Sequence, residues 1–138
     1  MVKTSTIHLR TRGNHDVIDI TPQVAKAVKD SGLEAGIATV FVSGSTAGVT
    51  TIEYEPGLVA DLEALFEKIA PTRADYRHNL RWGDNNGHSH LRASLVGASL
   101  TVPFAGRDLT LGTWQQIVVI DFDIRPRTRE LVLQVMGE

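Results

Sequence analysis

The sequence predicts an α+β fold, a compact β-sandwich-like single domain with two or three helices, spanning residues 1–138. Two kinds of segment alternate along the chain. Short β-branched runs such as Gly36–Ser43 (GIATVFVS) are too brief for helices and read as buried strands. The stretch after Pro56 repeats its apolar residues at three- and four-residue spacing, as a helix does. Helices interspersed with mostly hairpin-connected strands give an α+β sandwich. No repeat, low-complexity tract or linker divides the 138 residues, a length typical of one domain.

Val2 to Arg12 is rich in β-formers and reads as a strand, continued by Val17–Ile20 after a Gly13-Asn14 turn. Thr21-Pro22 starts a helix, with threonine as cap and proline at the first helical position. Val24, Ala27 and Val28 form its apolar stripe, and Gly32 ends it after Ser31. Thr50–Glu53 is extended. The helix opened by Pro56 carries Leu58, Leu62, Leu65, Phe66 and Ile69 and stops before Pro71. Tyr76–Gly87 reads as an ordered loop, Leu91–Val96 as a helix ended by Gly97. The remainder is β: Ser99–Phe104, a turn at Ala105–Arg107, a long strand Leu109–Phe122, and Glu130–Met136.

Composition narrows the function. Charged residues are 22% and hydrophobic ones 42%, and the net charge of −2 gives no bulk attraction to nucleic acid or an anionic membrane. Local groups must therefore hold any anion. The absence of cysteine removes disulfides, thiolate metal sites and cysteine nucleophiles. No apolar run approaches the roughly 20 residues that span a bilayer, and Met1–Thr6 is polar, so the expected compartment is the cytoplasm.

The densest chemistry lies between Tyr76 and Leu95. His78, His88 and His90 fall within thirteen residues, with Asp84, Asn85 and Asn86 between them. Histidine titrates near neutrality and is the commonest metal ligand. On a strand His88 and His90 would share a face; on a helix they diverge by about 160°, and only one would face the site. A helix starting near Gly87 would be capped by Asn85 or Asn86 and would offer free N–H groups to an anion, with Arg92 closing a phosphate clamp. The plain alternative is a polar loop with surface histidines.

Ser43–Gly48 is a second candidate. Gly44, Ser45 and Thr46 offer close backbone approach and hydroxyl donors to a phosphate, without the Gly-Lys-Ser/Thr ending of a P-loop. Glu53 is a possible metal ligand, whereas Glu55 reads as a helix N-terminal acid. Trp114 and Gln115 belong either to the core or to a surface for a flat heterocycle. Arg125–Arg129 is most simply a solvated turn, with an anion grip or a subunit contact as its other use.

The strings GSTAGVTTIEYEPGLVADL, YRHNLRWGDNNGHSHLRASLVGASLTVPF, LTLGTWQQIVVIDFD and RPRTRELVLQVMGE, in this order and spacing, resemble the YjbQ family, some members of which are called secondary thiamine-phosphate synthases. The resemblance implies a sandwich-type α+β fold, a homotrimer with sites near subunit contacts, and a polar site centred on His78, Asp84 and His90, with Glu53, Asn86 and Gln115 around it. Many members have a histidine where this chain has Gly44; His88 is the candidate to compensate. The implied reaction is transfer of a pyrimidine-methyl group from its diphosphate to a thiazole phosphate. Asp84 or Glu53 would hold a divalent ion (magnesium or zinc), and Arg92, Ser45 and Thr46 the phosphate oxygens. The expected metal donors are His78, His88, His90 and Glu53. The expected partners are a small phosphorylated metabolite and the chain itself. Metal-assisted phosphoester hydrolysis and non-catalytic binding of a small anion are the alternatives.

Overall fold

A computed structural model describes residues 1–138. In chain order the elements are β1 (Val2–Thr11), β2 (Asp16–Asp19), α1 (Thr21–Ser31), β3 (Ala35–Val42), β4 (Ala47–Ile52) and α2 (Pro56–Ile69). They continue with α3 (Arg77–Trp82), α4 (Gly87–Val96), β5 (Ser99–Ala105), β6 (Asp108–Leu109), β7 (Gln116–Asp121) and β8 (Arg127–Gly137). Two antiparallel sheets result, one ordered β1-β8-β3-β5-β6 and the other β2-β7-β4. The α+β class holds, with four helices in place of two or three.

Alternation along the strands sets the layers. Ala38, Val40 and Val42 of β3 and Leu131, Leu133 and Val135 of β8 turn inward, onto Val24 and Val28 of α1 and onto Val49, Ile117 and Val119 of the smaller sheet. Val118 and Ile120 of β7 point the other way, into a second core with Phe66 of α2, Ala93 of α4 and Phe122. The apolar run Ile117–Ile120 is thus covered on both faces by its own chain, and needs no neighbouring subunit to cover it. The bare face is on the larger sheet, where Val2, Ile37, Phe41 and Met136 are exposed.

Local chemistry explains most boundaries. Glu55 caps α2, its carboxylate accepting from the N–H groups of Gly57 (2.8 Å) and Leu58, as its place before the helix suggested. Thr21 does not cap α1. Its N–H goes to Asp19 Oδ1 (2.9 Å), and its hydroxyl accepts from the Ile117 N–H (2.8 Å). Gly32 ends α1 at φ 73°, a left-handed conformation that costs glycine little. On α2 the buried face runs through Val59, Leu62 and Phe66, and the predicted stripe members Leu65 and Ile69 face solvent. The long strand expected over Leu109–Phe122 breaks. Gln115 folds back to accept from the Gly112 N–H (3.0 Å) and to donate to Thr51 (3.1 Å), which leaves β6 and β7 separate.

His15 sits in the second core, tilted against Phe66 and Phe122 at 6.1 Å from each, with Nε2 on the Val59 carbonyl (3.1 Å) and Nδ1 unpartnered. Burial pushes its pKa below 6.5 and the nearby Arg92 acts in the same direction. The Val59 carbonyl, Glu63 and Asp16 pull it back only in part. Between pH 6.5 and that lower folded value the unfolded chain holds more protons than the folded one, so stability falls as the pH drops through this window. Urea unfolding above and below the window should show this loss, and His15→Gln should shrink it. An unchanged pH slope in that variant would assign the acid sensitivity elsewhere.

Candidate functional site

The segment read as a loop is partly helical. Tyr76–Gly87 contains α3, and α4 begins at Gly87 rather than Leu91. The α3–α4 corner is tight. A Cβ on Gly87 would lie 2.6 Å from the Tyr76 Cβ, so only glycine fits there. Asn79 Oδ1 accepts from the Gly87 N–H at 2.9 Å, satisfying one of the free donors of α4. Neither Asn85 nor Asn86 caps the helix through its side chain. Asn86 is committed to other groups.

The corner brings His78 and His90 together, their ring centroids 4.3 Å apart. One end of the Asn86 amide lies 2.9 Å from His78 Nε2 and 3.0 and 3.2 Å from the two Asp84 carboxylate oxygens. The other end lies 3.3 Å from Asp123 Oδ1. His78 Nε2 is also 3.4 Å from Asp84 Oδ1. Burial, then the neighbouring His78, hold the His90 pKa below the usual histidine range. Asp123, Asp84 and a hydrogen bond to the Ser45 backbone oppose this.

Beneath the histidines lies a buried ionic network that the sequence reading missed. Asp121 and Asp123, at the end of β7 and just beyond it, are fully buried. Asp121 accepts from Arg129 Nε (2.7 Å) and Nη2 (2.9 Å), from the Thr11 hydroxyl and from the Asp123 N–H. Asp123 accepts from Thr46 (3.0 Å), Arg127 (2.8 Å) and the Ile124 N–H (2.8 Å). Burial alone would raise both carboxyl pKa values. The hydrogen bonds outweigh it, from Arg129 and Thr11 at Asp121 and from Ile124, Asn86 and Thr46 at Asp123, and hold both below the usual range. Arg127 and Arg129 are therefore not members of a solvated turn. The available signal was their spacing: two acids and two arginines, each pair separated by one residue, flanking Ile124-Arg125-Pro126.

Two hollows flank the histidine pair. One, of about 300 Å³, is lined by Gly44, Ser45 and His90 with part of α4. The other, of about 230 Å³, is lined by Asp84, Asn86, Asp123, Ile124 and Arg125. Gly44 and Ser45 thus lie beside His90, and Arg125 lines the second hollow beside Asp84 and Asn86.

Several expected members do not join it. Arg92 is buried, with its guanidinium on the Ala70 carbonyl (2.9 and 3.0 Å) and on Glu67 (2.9 Å), so it closes no phosphate clamp. Thr46 is buried and spent on Asp123 and Arg129. His88 points to the opposite side of α4 from His90, toward Tyr76, with Nδ1 unpartnered. It does not stand in for the histidine absent at Gly44, where a Cβ would lie 2.7 Å from the Arg129 guanidinium. Glu53 and Trp114 line a different hollow with Asp19, Tyr54, Glu55, Thr113 and Gln116, and Gln115 is tied into its own turn. The expected donors His78, His88, His90 and Glu53 therefore do not converge within one chain, and no three His, Asp or Glu side chains do. That set does not fit a bound metal, and we derive no step through one.

Fold and site together define a small two-sheet α+β protein with a histidine pair seated on a buried aspartate–arginine network. The family model described as "UPF0047 protein YjbQ-like" matches residues 5–138, and the chain belongs to this family. A UPF0047 protein of Methanothermobacter thermautotrophicus is 40% identical over 99% of this chain and 94% of its own length. The UPF0047 protein YugU of Bacillus subtilis is 34% identical over 96% and 98%. Among solved structures, a protein of unknown function from Sulfolobus solfataricus superposes with a TM-score of 0.90 at 31% identity, covering all of both chains. A YjbQ/UPF0047 protein from Clostridium acetobutylicum gives 0.88 at 35%, covering 96% and 99%. No helix is long and apolar enough to cross a membrane.

Proposed function

We propose that this chain acts on a small phosphorylated metabolite at the His78–His90 pair, as a transferase of the thiamine-phosphate synthase type. The observation that carries the reading is the pair itself, two imidazoles 4.3 Å apart, with one hollow at His90 and another lined by the Asp84 and Asn86 that contact His78. On this reading the Gly44–Ser45 loop holds one phosphate and Arg125 the other. The bond from the pyrimidine methylene carbon to the diphosphate oxygen breaks, and the thiazole nitrogen bonds to that carbon. Diphosphate leaves with the electron pair, and the histidine pair manages the proton it takes up. The test is a coupled assay with both substrates. Thiamine phosphate should form with the native chain and not with a His78→Ala/His90→Ala variant. No product above that control would sink the reading, and a ligand that raises the melting temperature without being turned over would replace it with anion binding.

We also propose a homotrimer, on the family resemblance and on the bare face of the larger sheet. Val2, Met136, Ile37 and Pro103 align across β1, β8, β3 and β5 into one row, and Phe41 stands on the same face. An exposed apolar patch of this kind marks an interaction surface. Light scattering should return about three times the 15.1 kDa chain mass, and Phe41→Asp should lower it. A native chain that stays monomeric at micromolar concentration rules the trimer out.

A further inference from the structure

Arg129 has donors that its buried network does not use. Its side chain is 7% exposed, and Nε and Nη2 carry all its hydrogen bonds, to Asp121 and to the Thr46 hydroxyl. Nη1 has no partner. It is not sealed in, because the only enclosed side-chain nitrogens without a partner are His15 Nδ1 and His88 Nδ1. Its outlet is at Gly44. That residue is exposed, and a Cβ there would lie 2.7 Å from Nη1, so glycine leaves this edge of the guanidinium uncovered. The backbone does not itself require glycine, since Gly44 is not among the residues of positive φ. The loop has spare donors of its own. The N–H groups of Gly44, Ser45 and Thr46 find no acceptor within the chain. Thr46 is buried and commits its hydroxyl, but not its N–H, to the network. A buried N–H left unpaired is costly unless a ligand or solvent reaches it.

We infer that Arg129 is a binding residue, its Nη1 reaching past Gly44 to hold a phosphate group together with the N–H groups of Gly44, Ser45 and Thr46. Gly44 and Ser45 line the hollow of about 300 Å³ beside His90, and Arg129 stands behind Gly44 rather than in its wall. Neither other arginine supplies this charge, since Arg92 is turned to Ala70 and Glu67 and Arg125 lines the second hollow. The two N–H bonds of Nη1, the three loop N–H groups and the Ser45 hydroxyl outnumber the roughly four lone-pair sites of a carboxylate. They suit the three terminal oxygens of a phosphate monoester. Asp121 does not compete for Nη1, because its bonds from Arg129 come through Nε and Nη2. It also neutralises the guanidinium. The anion therefore gains charge-assisted hydrogen bonds rather than a net attraction, and inorganic phosphate alone should bind in the millimolar range. Asp121 fixes the guanidinium plane before any ligand arrives, so little ordering is left for binding to do.

The inference deepens the proposed function, on which it rests for the phosphorylated substrate, but its test needs no turnover. Inorganic phosphate titrated into the ¹⁵N-labelled native chain should move the amide signals of Gly44, Ser45 and Thr46 and the guanidinium signal of Arg129 together, with one Kd. Acetate at the same concentrations should move them far less. Gly44→Ala, whose methyl group meets Nη1, should weaken phosphate binding roughly tenfold or more, and Ser45→Ala about two- to tenfold. Arg107→Gln removes a charge paired with Glu34 far along the chain and should leave the Kd unchanged. Should Gly44→Ala fail to fold, as its amide spectrum would show, Ser45→Ala decides. Loop and guanidinium signals that stay still at tens of millimolar phosphate, an equal response to acetate, or a Kd indifferent to the loop variants would each overturn the site. Phosphate bound here by a chain that makes no thiamine phosphate would leave the Arg129 site standing and remove the transferase reading. Turnover without any phosphate response in this loop would do the reverse.

Discussion

Arg129→Met should destabilise the fold by about 3–5 kcal/mol, the penalty for leaving one member of a buried ion pair without its partner. Asp121 is fully buried, and Arg129 supplies two of its hydrogen bonds, at 2.7 and 2.9 Å. Methionine retains much of the stem volume and none of the charge. The carboxylate is then left with the Thr11 hydroxyl and the Asp123 N–H. Against a typical total of about 5–15 kcal/mol, such a loss is a large fraction of the stability. Thr46 loses a donor as well, since Arg129 Nη2 reaches its oxygen at 2.6 Å. Urea unfolding at fixed chain concentration is the measurement, and Asp121→Asn/Arg129→Met should recover part of the loss because the unpaired charge is gone. A cost below about 1 kcal/mol for the single variant would place this pair with weak surface pairs.

The elements most legible in the sequence were those whose local chemistry agrees with their packing. β3 and α2 came from periodicity and from Pro56. The divergence of His88 and His90 followed from helical geometry once α4 was allowed to begin at Gly87. What escaped depends on contacts distant in the chain. Arg129 follows a polar, proline-containing stretch and reads as solvated, yet it closes onto an aspartate eight residues earlier and a threonine 83 residues earlier. Arg92 follows a histidine on a helix and looks like a phosphate ligand, but its partners are Ala70 and Glu67 at the end of α2. β7 has continuous apolar character because it lies between two layers of its own chain, a reason that run length alone does not separate from a subunit interface. Asn86 looked like a cap, and only the position of Asp123 shows why its amide is withheld from α4.

On the proposed transferase reading, His90→Gln should lower turnover by about 10²–10⁴-fold with little change in KM, the usual range for removing a group that moves a proton in the transition state. His90 is the member of the pair that lines the Gly44–Ser45 hollow. His78 stands behind it, anchored by Asn86. Groups that act as a unit lose their effect together, so the His78→Gln/His90→Gln double variant should be no more than about tenfold worse than the poorer single one. Independent roles would instead multiply the two losses. His8→Ala, on the exposed face of β1, controls for nonspecific loss and should retain full turnover. Steady-state kinetics on the native chain and the four variants decides the matter. A His90→Gln enzyme within threefold or so of native turnover would remove the pair from the chemistry.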